Sequence, residues 1–429
     1  MSNNSILSIV IVGAGLGGLS AAIACAIAGH SVTVLEAVAE LAEIGAGLQI
    51  TPNAAKILRT YGLGSSLEEL GAVPTYIAVR RYSDGKILAY EDGFDINLKR
   101  KYGEPFFDIH RADLQIMLYN KAVSLGVKAI FNARVEKVIT SPTPQVVSSK
   151  GDVYTADLVV GADGLWSKCR ECLLNAVDKP LPTGDLAYRI VLTLEQVDDP
   201  AIKELITKPS VNFWIGPGAH SVGYSLRAGR MYNLVLLCPD DLDEGVAKQA
   251  GTVEQMKKLF ENWDPQLRKL LDHVKTAGID KWKLMHREEL EAWTNEGKNF
   301  VLMGDACHPM LPYLAQGANS SIEDGAVLGR LLSYVKRKDQ LRTAISLYEK
   351  LRKERGERIA RETFKQRHQF HMPDGKEQQE RDAIFEGWLG KELTEPFPSR
   401  WTCPEVQPWL YGYDAFNEAD AAAKDLCSP

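Results

Sequence analysis

Ser8 to Ala37 reads SIVIVGAGLGGLSAAIACAIAGHSVTVLEA. The apolar run Ile9 to Val12 has the length of a buried parallel strand. Gly13, Gly15 and Gly18 follow as G-x-G-x-x-G, and small residues at helical spacing run from Leu19 to Ala28. Gly29-His30 closes that helix, and a second apolar strand, Val32 to Leu35, delivers Glu36. Each glycine has its own reason: a tight turn, close backbone approach to a pyrophosphate, and close packing of helix on strand. The helix N-terminus offers unpaired N–H groups and a positive dipole end to phosphates. Glu36 stands about 20 residues on, where a carboxylate can bind ribose hydroxyls. Strand, glycines, helix, strand and acid in this order predict a dinucleotide site, without naming the dinucleotide.

The rest of the chain sets bounds on that site. With 429 residues, 45% hydrophobic and 25% charged, the composition is globular and long enough for two or three domains. A net charge of −6 gives no reason to expect nucleic acid or an anionic membrane as partner. No basic region precedes the first apolar run, and nothing approaches 18 uninterrupted apolar residues, so neither a signal peptide nor stable membrane insertion is expected. Seven scattered cysteines fit a reduced, cytoplasmic protein. Cys169 and Cys172 form one C-x-x-C with no second pair at zinc spacing, and no metal site is expected.

Downstream, Gly45-Ala46-Gly47 makes a glycine-rich turn, and Asn53 onward reads as a short helix broken at Gly62. Residues 77–90 alternate like two strands around Ser83-Asp84-Gly85. Phe107 to Arg111 leads into a helix with Arg111 at or near its start. From Leu186 to Leu237 strand–helix alternation gives way to consecutive strands, which predicts a second, sheet-based domain. Leu341 to Phe370 reads as a long helix of paired charges, expected on the solvated surface. Trp388, Trp401 and Trp409 stand among prolines in the tail.

Two further motifs narrow the cofactor. In Asp157 to Arg170 a buried strand runs into Gly161-Ala162-Asp163-Gly164, with Ser167 and Arg170 at fixed offsets. In Gly304-Asp305-Ala306-Cys307-His308-Pro309 a strand end presents a carboxylate. Pro312, Gln316, Gly317, Ala318 and Asn319 then open another helix, a second N-terminus for a ligand that carries negative charge. These three motifs in this order resemble the single-component FAD-dependent aromatic monooxygenases of the p-hydroxybenzoate hydroxylase superfamily. Within it the chain is most similar to the salicylate-hydroxylase-like group, including fungal phenol-hydroxylating members. The resemblance spans nearly the whole chain, down to Trp409-Leu410-Tyr411-Gly412-Tyr413-Asp414-Ala415.

The resemblance implies an α/β fold: a Rossmann-like FAD-binding domain interrupted in sequence (1–76, 103–180, 285–335), a smaller sheet-based substrate domain (77–102, 181–284) and a helical C-terminal region (336–429). By the same resemblance Gly13, Gly15 and Gly18 hold the FAD pyrophosphate, Glu36 the adenosine ribose and Asp305 the ribityl chain. Gly47 lies against the cofactor and Arg111 reaches its phosphate or ribityl region. Asp163 belongs to a motif serving both FAD and the nicotinamide donor. Pro312 lies over the isoalloxazine, with Gly317, Ala318 and Asn319 at its pyrimidine edge. The bound FAD is non-covalent, NADH or NADPH the electron donor and O2 the co-substrate, and a flavin hydroperoxide hydroxylates a small phenolic or benzoate-type aromatic. Plainer readings stay open: Asp163 and Asp305 as capping aspartates, Arg111 as half of a helix-end salt bridge, Cys307 and His308 as packing groups. A small residue is usual in the family where Cys307 stands.

On the substrate side, Arg189 shares a strand face with Ala187 and Val191, and Tyr224 shares one with His220, Val222 and Leu226. A charge on a small apolar face suits a carboxylate or phenolate. Fungal relatives that hydroxylate acyl phenols use an arginine and a tyrosine at comparable places, which gives Arg189 phenolate stabilisation and Tyr224 substrate orientation as catalytic roles. The alternatives are a surface salt bridge of Arg189 with Asp185 or Glu195, and core packing for Tyr224. His220 is expected as a satisfied histidine rather than a base. Epoxidation or oxidative rearrangement of a non-phenolic metabolite remains an alternative reaction, and an FAD-binding protein without turnover a third reading. Monomer or homodimer stays open.

Overall fold

The computed structural model describes residues 6–41, 46–275 and 279–427. Its first sheet is parallel and five-stranded, in the order Phe300–Leu302, Leu158–Gly161, Ser8–Val12, Ser31–Leu35, Lys128–Ile130. Ser8–Val12 lies at the centre, with Val10 opposite Val159 on one side and Thr33 on the other. Ile9 to Val12 are buried, as an apolar strand covered on both faces must be. The helix Leu16–Ile27 packs on this sheet and, on its other side, against the helix Gln316–Leu332. Their backbones nearly touch. A β-carbon on Gly325 would sit 2.5 Å from the Ala21 nitrogen, and one on Gly329 would sit 2.3 Å from the Ala24 Cβ.

The second sheet has eight strands and is drawn from two separate stretches. Tyr76–Arg81 and Ile87–Asp92 form one edge; Ser210–Gly216, Ala219–Leu226, Met231–Pro239, Leu181–Thr193, Ile279–His286 and Lys248–Gly251 continue it in that order. All pairings are antiparallel except that of Tyr76–Arg81 with Ser210–Gly216. Period-two alternation divides the side chains between the two faces. Tyr188, Ile190, Leu234 and Leu236 enter a core closed by the helices Pro200–Thr207, Val253–Leu259 and Pro265–Asp272. Ala187, Arg189, Val235 and Leu237 point the other way, towards the first sheet's helices. The chain is thus an α/β fold with a parallel sheet, a sheet-based second layer and a helical C-terminus.

The expected surface helix is corrected. Leu341–Phe370 is one helix of 30 residues, but Arg352 is fully buried and Arg355 nearly so. Arg352 Nε donates to Asp324 Oδ1 at 2.7 Å, and Arg355 donates through Nε and Nη2 to the Glu323 carboxylate at 2.8 Å. These two charges are paired inwards, against the helix Gln316–Leu332, and His308 and Arg352 together hold Asp324 down at about 2 despite full burial. The tail is more ordered than its prolines suggest, with helices Lys376–Trp388, Gln407–Tyr411 and Ala415–Ala422.

Candidate active site

Between the two layers lies a cavity of about 380 Å³, in the size range of small-ligand sites. One wall comes from the motifs: Gly15, Gly47, Arg111, Gly164, Asp305, Pro312, Gly317 and Ala318. The opposite wall comes from the sheet, with Ala187, Arg189, Phe213, His220, Val222 and Tyr224, closed by Tyr313 and the tail's Trp401.

The three fingerprint glycines separate by what surrounds them. A β-carbon on Gly13 (φ +106°) would lie 2.4 Å from the Ala162 carbonyl oxygen, and one on Gly18 would lie 2.1 Å from that of Gly13. Both are required by the protein's own packing, and neither lines the cavity. Gly15 lines it, and a β-carbon there meets nothing within 4 Å. Gly164 (φ +75°) is equally open, and the nearest atom to one on Gly317 is Met310 Cγ at 3.9 Å. Gly47 is needed elsewhere: its β-carbon would fall 2.6 Å from Tyr224 Cε2, and its N–H donates to Asn233 Oδ1 at 2.8 Å, fastening this strand to the sheet. Gly45, the start of that expected turn, lies outside the described residues.

Two helices end at the cavity without caps. Gly15 precedes Leu16–Ile27, and Ala315 (φ +51°) precedes Gln316–Leu332; neither helix has a capping side chain or an acid in its first turn. Their leading N–H groups and positive dipole ends are therefore directed at whatever occupies the space. Arg111, the first residue of the helix Arg111–Ser124, has no ion-pair or hydrogen-bond partner for its guanidinium among the described residues. Burial lowers its pKa while Asp305 opposes that effect. Asp305 is accessible from the cavity, yet the surrounding protein pushes its carboxyl up, against the pull of His308 and Arg111. It is the one acid on the described cavity wall, facing two arginines. A cradle of open glycines, two bare helix ends and a surplus of cations fits the phosphates, ribityl hydroxyls and ring edge of a flavin dinucleotide.

Other expected positions stand behind the wall. Glu36 accepts from Ala14 N at 2.8 Å and from Val38 N at 3.0 Å, at the end of its strand. Asp163 accepts from Ser167 Oγ at 2.5 Å and Cys169 N at 2.9 Å, tying down the start of the helix Lys168–Leu174 as a capping aspartate does. Asn319 is fully buried, accepting from Thr51 N at 3.0 Å and donating to Gln49 O at 2.9 Å. His308 Nε2 lies 2.6 Å from Asp324 Oδ2 and its ring stacks on Trp293, while the Cys307 thiol is buried.

On the sheet wall, neither alternative partner holds Arg189. Asp185 is bound by Arg367, at 2.5 and 2.7 Å, and by the Tyr313 hydroxyl. The Arg189 guanidinium rests 5.5 Å from the Trp282 ring centroid, and burial lowers its pKa. Tyr224 is buried beside it, its phenol pushed far up and so neutral. His220 also faces the cavity. Its Nδ1 lies 2.7 Å from His371 Nε2, a pairing that local sequence could not reveal because 151 residues separate the two. Trp401 stood out in composition alone; only the folded tail brings it to the wall.

Known proteins agree with this architecture. A model of the family described as FAD binding domain matches residues 7–363. The chain is 47% identical over 418 residues to FAD-dependent monooxygenase OpS4 of Beauveria bassiana, covering 97% of each chain. It is 32% identical over 419 residues to a 3-hydroxybenzoate 6-hydroxylase of Klebsiella oxytoca, covering 97% of this chain and 99% of that one. A salicylate hydroxylase solved as a substrate complex shares the fold at a TM-score of 0.79 and 19% identity, covering 97% and 98%. The glycine fingerprint and the two helix ends it aims at the cavity therefore have a family: the chain belongs to the FAD binding domain family.

Proposed function

We propose that this protein is an FAD-dependent monooxygenase that hydroxylates a phenolic or benzoate-type aromatic, taking electrons from NADH or NADPH and oxygen from O2. One observation carries the reading: the cavity joins a dinucleotide cradle to a sheet wall bearing a half-buried arginine with no acidic partner among the described residues. The relatives named for FAD-dependent monooxygenation and for 3-hydroxybenzoate support the same class. Arg189, which no acid pairs among the described residues, favours a ring carrying phenolate or carboxylate over a non-phenolic metabolite.

FAD, when bound, supplies the electron transfer and the oxygen chemistry. The residues that would touch it are Gly15 at the first helix, Gly47 and Arg111 beside it, and Asp305, Pro312, Gly317 and Ala318 at the second helix, while Gly13, Gly18, Glu36, Asp163 and Asn319 would shape the backbone behind them. Arg189 stabilises negative charge on the ring oxygen in a low-dielectric site, where such an interaction is strong. Tyr224 stays neutral and orients the ring through its hydroxyl. Phe213, Val222 and Trp401 exclude water and bury the ring's faces.

The test is a panel of phenols and benzoates added to FAD-loaded protein, following NADH and NADPH oxidation. A matching phenol stimulates the oxidation. Arg189→Ala keeps FAD and loses the stimulation by roughly 10²-fold, the scale for one electrostatic stabiliser. Unchanged kinetics in that variant would remove Arg189 from the site.

A further inference from the structure

A second cavity, of about 550 Å³, lies outside the site described above. It sits over the sheet's edge strands, Tyr76–Arg81 and Ile87–Asp92, and is closed by the helices Phe94–Tyr102 and Lys376–Trp388 and by the tail. Val79 pairs with Phe213, so both cavities open on the same face of that sheet. The partition between them is thin: Trp401 lines the first, while Ser399 and Thr402 line the second. The second cavity's floor is apolar, with Ile77, Val79, Phe385 and Phe397 buried in it. One charged side chain shares that floor. Glu91 stands opposite Ile77 and two residues on from Ala89, so strand alternation turns its carboxylate towards the apolar face.

Little answers that charge. Asn97 Nδ2 donates to Glu91 Oε1 at a long 3.3 Å, and Glu91 has no ion pair or other hydrogen bond among the described residues. Burial pushes its carboxyl up, and the exposed Lys101 opposes that only in part. The other charges at the cavity are exposed and balanced, Arg100 and Lys391 against Asp92 and Glu392. The two phenols are engaged elsewhere: Tyr102 donates to Gln407 Oε1 at 3.0 Å and Tyr90 to Asp92 Oδ1 at 3.3 Å. A neutral occupant would strip water from the Glu91 carboxylate and return nothing. An ammonium would answer it, and aromatic rings such as those of Tyr90, Tyr102 and Trp388 attract a cation further. We propose that this cavity binds an organic amine with an apolar body, its ammonium paired with Glu91 and its body against Trp388 and Phe397. The site is independent of the hydroxylase reading, because none of these three residues lines the first cavity.

The probe is tryptamine, titrated by calorimetry on the FAD-loaded protein beside tryptophol, which carries a hydroxyl in place of the ammonium. The wild type should bind tryptamine roughly tenfold more tightly than tryptophol, the scale of one hydrogen bond to a charged group. That comparison needs no variant. Glu91→Gln, which keeps the shape and removes the charge, should weaken tryptamine by roughly the same tenfold factor and leave tryptophol unmoved. Trp388→Ala should weaken both. Tryptamine stays charged throughout, so its affinity for the wild type should fall as pH is lowered and Glu91 takes a proton, and should stay flat in Glu91→Gln. Equal affinities of the wild type for the two probes, an unchanged tryptamine affinity in Glu91→Gln, or no binding of tryptamine overturns the amine site. Each of these leaves the hydroxylase reading standing.

Discussion

Gly15 and Gly18 belong to one fingerprint, yet the residues around them assign different work. Nothing of the protein occupies the space a Gly15 side chain would enter, whereas Gly18 is pressed against the Gly13 carbonyl. Gly15→Ala is therefore expected to leave the apo-protein's denaturant midpoint within about 0.5 kcal/mol, as for substitutions that disturb no packing, while weakening FAD affinity at least tenfold. Gly18→Ala should lower apo-protein stability itself, by about 1–3 kcal/mol for a forced overlap. Urea melts and flavin-fluorescence titrations of both variants check the pair. The motif was legible in the sequence because all three glycines obey one spacing. Which glycine serves the ligand was not, because that depends on Ala162 and on the empty volume above the helix. Likewise Asp163 and Asn319 have the right spacing, but their side chains are taken up by Ser167, Cys169, Thr51 and Gln49.

Between elements, the tightest joint is that of Leu16–Ile27 with Gln316–Leu332. Small residues on both let the helices meet at backbone distance and set the second helix's bare end beside the first's. Gly329→Val should cost about 1–3 kcal/mol of stability by overpacking against Ala24, read as a lower urea midpoint with unchanged m-value. A midpoint equal to wild type would mean that the helices can separate freely. The long helix Leu341–Phe370 shows where sequence reading stops. Its charge pairs look solvated because the partners that bury them, Glu323 and Asp324, stand about 30 positions earlier, on another helix. Periodicity reports a helix's own faces and not what another element brings to them. The switch from strand–helix alternation to consecutive strands was readable, since it depends only on local patterning. That residues 76–92 join that sheet's edge is not readable from local patterning, because their partner strand, Ser210–Gly216, stands far downstream.

At the scale of the whole molecule, the cavity exists only because the glycine-rich strand and helix ends, the eight-stranded sheet and the tail's Trp401 meet there. The His220–His371 contact joins the sheet to the end of the long helix, and its protonation couples the site to folding. Folded His371 resists protonation down to about 4, whereas an unfolded histidine takes its proton near 6.5. The folded state's advantage is complete above pH 6.5 and is lost as pH falls towards 4, by up to about 3 kcal/mol. Urea melts of the apo-protein at pH 7 and pH 4.5 should show that loss, and His371→Leu should flatten it. An equal pH dependence in the variant would mean that the ring pair is not what links folding to pH.

The central claim is that the cradle and the sheet wall form one site, in which oxygen from O2 enters an aromatic ring held by Arg189. Its most direct test is a turnover of the FAD-loaded protein with NAD(P)H and a stimulating phenol under ¹⁸O2, read by mass spectrometry of the product. One ¹⁸O atom in the hydroxylated ring is the predicted result. NAD(P)H consumed with no labelled product from any phenol or benzoate, and only peroxide formed, would contradict it.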